Sequence, residues 1–73
     1  MAPVKTIIED CVKPEYKGFK KSFYGKAIRV LGYNPLESRP EIEEIKKTID
    51  GVIEMKMHPQ YAYERLLRLK KET

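Results

Sequence analysis

Apolar residues recur at spacings of three and four along most of this chain, most regularly between Ser38 and Met57. There Ile42, Ile45, Ile49, Val52, Ile53 and Met57 fall within one arc at 100° per residue, the signature of a helix with one buried face. Ser38 and Glu41 have the spacing of a capping box, and Pro40 suits a first turn. The spacing predicts a helix continuing to about Met57. Asp50-Gly51 is its weak point, because a stop there would let Ile53, Met55 and Met57 alternate with Glu54 and Lys56 as in a strand. A lone strand would leave its backbone groups without a ladder, which favours the continuous helix.

The other segments read as covers for that face. From Pro3 to Val12, Val4, Ile7, Ile8, Cys11 and Val12 keep helical spacing, with Pro3 fitted to a first turn. A strand competes for this segment because it is short and β-branched. Residues Glu15 to Leu31 project as a second helix. Tyr16, Phe19, Phe23, Tyr24, Ala27, Ile28, Val30 and Leu31 lie on one half, with Lys21, Ser22, Lys26 and Arg29 on the other. Gly18 and Gly25 each cost about 1 kcal/mol inside a helix, so a helix starting after Gly18 is the simpler reading. Gly32 and Asn34-Pro35 mark its end. Pro59 opens a last helix to about Lys71, with Ala62, Tyr63, Leu66, Leu67 and Leu69 on one face and His58 placed to cap or flank it. The expected architecture is all-α: one domain over 1–73, a small bundle of three to four amphipathic helices.

Composition narrows the class. Seventy-three residues with 41% hydrophobic and 36% charged positions are too apolar for a disordered chain. No run of about 18 apolar residues is present, so no transmembrane segment is expected. The acidic residues Glu9 and Asp10 argue against a secretory or transit peptide at the N-terminus. A lone cysteine fits a reducing compartment, with the cytoplasm, or an organelle interior after processing, as the default. A domain this small buries a limited core, and one cysteine cannot make an internal disulfide, so docking or self-association is a natural complement.

The net charge of +4 is uneven. Residues 1–33 carry a net +4, residues 34–57 a net −2 and residues 58–73 a net +2. Basic ends flank an acidic middle, and such asymmetry can leave one basic face for an acidic partner.

Chemistry is sparse. Cys11 and His58 are the only conventional nucleophile–base pair, and Cys11 sits on an apolar stripe where cysteine behaves as a small hydrophobe. Glu41, Glu43, Glu44, Asp50 and Glu54 read as a solvated helix face without calcium-loop spacing. No phosphate-binding glycine motif is present. No enzyme activity, cofactor or metal is expected.

Two surfaces remain. Lys17, Lys20, Lys21, Lys26 and Arg29 are interleaved with Tyr16, Phe19, Phe23, Tyr24 and Tyr33, a combination able to neutralise phosphates and stack on bases. Most of those aromatics are also needed for the core. Tyr61, Arg65 and Arg68 form a strip of residue types enriched at protein interfaces. Met55, off its helix's apolar arc, is a candidate for the same surface. Membrane-surface binding by the second helix would need the face that the core requires. The sequence therefore reads as a small non-catalytic interaction module. It would be an accessory subunit or adaptor of a larger assembly, or a homo-oligomer. The alternative is a basic nucleic-acid-binding protein contacting phosphates through its second helix.

Overall fold

A computed structural model of the chain describes residues 2–71. It contains helices α1 (Ala2–Cys11), α2 (Lys20–Val30), α3 (Pro40–Ile53) and α4 (Pro59–Leu69), with a 3₁₀ segment Pro14–Phe19 between α1 and α2. Among the described residues there is no strand, and both β-like stretches weighed in the sequence belong to helices or turns.

The apolar stripe of α3 is the centre of the core. Ile42, Ile45, Ile49, Val52 and Ile53 are all buried, facing Val4, Ile7, Ile8 and Cys11 of α1, Phe23, Ala27 and Ile28 of α2, and Ala62 and Leu66 of α4. The helices alternate in direction. Lys20, at the start of α2, meets Glu54, just past the end of α3, while Lys71 after α4 donates its backbone N–H to Leu31 after α2. Val12, following α1, lies beside Met57 and Pro59 at the same end as Lys20.

Two expectations about helix ends are corrected. The capping box does not form: Pro40 takes the first turn and the residue before a proline is driven to extended backbone, so Arg39 becomes the cap residue. Glu41 instead accepts from the Arg39 guanidinium at 3.2 Å. Nor does α3 continue to Met57. It stops at Ile53, where the N–H groups of Met55 and Lys56 turn back to the carbonyls of Val52 and Gly51. These are the two bonds of a Schellman motif. Gly51 permits this ending by close approach, since a Cβ there would sit 3.1 Å from the Met57 Cβ. The second helix begins at Lys20, after Gly18 as its glycine cost implied, and Pro14–Phe19 tightens into the 3₁₀ turn before it.

Polar bonds clasp the helices in pairs. The Tyr24 hydroxyl donates to the Asp50 carboxylate, joining α2 to α3. Between α3 and α4, Arg65 donates from Nε to the buried Thr48 hydroxyl at 3.1 Å and from its guanidinium to the Glu44 carboxylate. The Thr48 hydroxyl in turn donates to the Glu44 carbonyl at 2.8 Å. Beyond Leu31, Gly32 takes φ +93° and ends α2 in a second Schellman motif. Tyr33 then folds inward, donating from its hydroxyl to the Leu69 carbonyl at 2.7 Å. Arg39 and Lys71 lie over its ring at 5.4 and 5.9 Å.

Two glycine substitutions should move stability in opposite directions. Gly25 is helical with nothing within 4 Å of an added Cβ, so Gly25→Ala is expected to stabilise by about 1 kcal/mol. Gly32→Ala should destabilise by roughly 1–2 kcal/mol, because it forces a left-handed L-residue and sets a Cβ 3.2 Å from that of Lys71. Urea melts of the two variants check both signs.

Candidate binding surface

The two ends of the bundle differ. At the Tyr33 end the loop is pinned by side-chain bonds, and Leu36 is an isolated exposed apolar residue. At the opposite end, four large apolar side chains remain exposed: Val12, Tyr16, Phe19 and Met55. They come from the segment after α1, the 3₁₀ turn and the segment after α3. The 3₁₀ segment buries none of its residues. Tyr16 holds Phe19 and Phe23 edge-to-face at 6.1 and 5.9 Å, so the exposed ring of Phe19 is braced through Tyr16 to the core ring of Phe23.

Beside this turn lies a cleft of about 400 Å³ with apolar walls formed by Val12, Val52, Met55, Met57 and Pro59 and with Lys56 and His58 at its edge. Met55 is the unusual member. It has φ +59°, in the left-handed region, and the residue is 83% exposed. At the matching position of α2 the chain has Gly32. A left-handed L-residue costs roughly 1–2 kcal/mol, and so exposed a side chain returns little of that to the fold. The cleft is therefore formed by a residue that the helix ending alone would not select.

The basic residues singled out by the sequence separate into two kinds. Lys20 is held by Glu54 at 3.3 Å and lies 3.9 Å from Asp50. Glu54 is drawn below the usual carboxylate range by its bond from Lys56 first and Lys20 second, so this clamp persists through that range and is lost as pH falls below it. Lys17, Lys21, Lys26 and Arg29 are exposed and have no carboxylate partner among the described residues. Lys26 instead lies over the Phe23 ring at 5.8 Å. Of the five interleaved aromatics, only Tyr16 and Phe19 remain at the surface. Phe23 and Tyr33 are in the core, and Tyr24 is bound to Asp50.

The Tyr61, Arg65, Arg68 strip is only partly available. Arg65 is committed to Glu44 and Thr48, and its pKa is raised by Glu44 and then by the Tyr61 hydroxyl. Tyr61 and Arg68 stay exposed. The conventional catalytic pair is spent elsewhere. Cys11 is buried, its thiol pushed up to about 12 by desolvation and then by Asp10. His58 accepts the Gln60 N–H at Nδ1 as the cap of α4, as its place before Pro59 suggested. Among the described residues no three His, Cys, Asp or Glu side chains gather as a metal site, and no helix is long and apolar enough to cross a membrane. No protein-family model, curated protein or solved structure matches the chain.

Met55→Gly is expected to raise stability by roughly 1 kcal/mol, since it removes the left-handed strain while sacrificing little burial. Denaturant melts check the sign, and a loss of stability would mean that the Met55 side chain supports the fold. Tyr24 gives a second test. Its pKa is pushed up to about 12, by burial first and the Asp50 bond second. A raised folded-state pKa contributes stability below the phenol's ordinary range and loses it as pH climbs towards 12. Phenolate absorbance should show a late-titrating component that Tyr24→Phe removes.

Proposed function

We propose that this chain is a non-catalytic interaction protein, an accessory subunit that receives an apolar side chain of a protein partner in the cleft beneath Met55. The observation that carries this reading is the left-handed, exposed Met55 across from Val12. The helix ending is strained, and the strain places a flexible thioether over an apolar hollow. Methionine suits such a role because its unbranched, polarizable chain adapts to the shape of what it meets. The exposed rings of Tyr16 and Phe19 extend the apolar area beyond the cleft, and Lys17, Lys21 and Lys56 give it a polar margin, the arrangement common to protein interfaces. The small core supports the same reading, since a partner would cover apolar surface that this chain alone leaves in water.

The buried thiol makes the test selective. Cys11 resists alkylation, so Met55→Cys can be labelled alone with a photo-cross-linker, with Lys47→Cys on the exposed side of α3 as the control. Irradiation in extract of the source cells should give a discrete adduct from position 55 and none from position 47. Unlabelled wild-type chain should suppress the adduct, and unlabelled Val12→Lys should not. Equal adducts from both positions, or equal competition by both chains, would remove the cleft as the docking site. Sedimentation of the purified chain separates a second copy from a different partner.

A further inference from the structure

We infer that α2 carries a second surface, sharing Tyr16, Phe19, Lys17 and Lys21 with the margin of the cleft, which holds the backbone of a single-stranded nucleic acid while Tyr16 and Phe19 stack on its bases. The first support is charge. The segment Lys20–Val30 contains no acidic residue, and its outward positions are Lys21, Ser22, Gly25, Lys26 and Arg29. Around a helix these fall within an arc of about 140°. Lys21 and Arg29 are eight residues apart, about 12 Å along the axis at 1.5 Å per residue, long enough to meet successive phosphates of an extended strand. Lys17 continues the stripe into the 3₁₀ turn. Of the carboxylates at this end, Asp10 is engaged by Lys13 at 3.3 Å and Glu54 by Lys20 and Lys56, while Glu15 in the 3₁₀ turn is left, among the described residues, as the single acidic side chain beside the stripe.

The second support is shape. Gly25 lies inside the arc, and nothing comes within 4 Å of a Cβ placed there. Its lack of a side chain serves no packing within this chain and leaves the middle of the stripe flat, so a strand can lie close to the helix backbone between the Lys21 and Arg29 side chains. The third support is the aromatic pair. Phe19 is 54% exposed and braced by Tyr16 at the start of the stripe, where an unpaired base can stack on it. Bases in a duplex have their faces covered, which selects the single strand. An acidic protein segment would use the lysines but gain less from the rings.

The test is fluorescence anisotropy of the full chain with a labelled oligothymidine, a duplex of equal length and a polyglutamate peptide, each across a range of salt. The single strand should bind tightest, with log affinity falling linearly with log salt. Lys21→Ala combined with Arg29→Ala should flatten that slope by about 1.4, at about 0.7 per lost phosphate contact on a single strand. Phe19→Ala should weaken binding about tenfold or more and leave the slope unchanged, because it removes stacking alone. Gly25→Gln, which alters no charge and favours helix, should weaken binding while melting no lower than wild type. No binding of the oligothymidine at low salt overturns the inference. So does equal affinity for the duplex or the polyglutamate, or full affinity in Gly25→Gln. Thermal melts of every variant confirm that the fold is retained.

Discussion

The fold depends on one apolar stripe. Ile42, Ile45, Ile49, Val52 and Ile53 of α3 are the common floor on which the other helices rest, and in a chain this short there is no second core to compensate for a gap in it. Among the described residues, every fully buried side-chain polar atom is hydrogen-bonded. Thr48 sits fully buried on α3 beside these residues and is tolerated because it both donates to Glu44 and accepts from Arg65. The stripe also sets the demand for aromatics, so that Phe23 and Tyr33 are drawn inward and are unavailable for recognition.

That demand explains the contrast between the ends. Tyr33 closes one end, bridging the segments after α2 and α4 and lying between two cations. The other end has the same helix-stop geometry but no inward-folding aromatic. Its apolar residues, Val12, Phe19 and Met55, are left facing water. The two Schellman endings make the difference concrete, with Gly32 relaxed in one and Met55 strained in the other. Strain in a folded chain has to be outweighed elsewhere, and here the neighbouring bonds of Met57 and Lys56 to Gly51 hold the turn in place.

Much of the fold was legible because period-3.6 patterning is a direct projection of burial. The core residues of α1, α3 and α4, the late start of α2 and the cap by His58 all follow from spacing and from proline placement. The end of α3 was not legible. Nothing local distinguishes a methionine that will turn left-handed from one that will continue a helix, and Asp50-Gly51 proved to be helical. The capping box failed for a reason of priority: Pro40 dictates the backbone of Arg39, and that overrides the side-chain preference of Ser38. The basic stripe on α2 could be read by projection, since it belongs to one helix. The cleft could not, because Val12, Met55 and Pro59 meet only through tertiary packing. The fate of Arg65 was hidden for the same reason, its partners Glu44 and Thr48 lying on another helix.

An even number of alternating helices has a geometric consequence for how this chain can be attached to anything else. Helix α1 starts, and α4 finishes, at the end closed by Tyr33. The first turn of α1 and the last turn of α4 therefore lie on the side away from Met55 and Phe19, about 20 Å distant by the length of α3. A dye or a surface support attached beside either of those turns is held clear of the open end, which then faces outward.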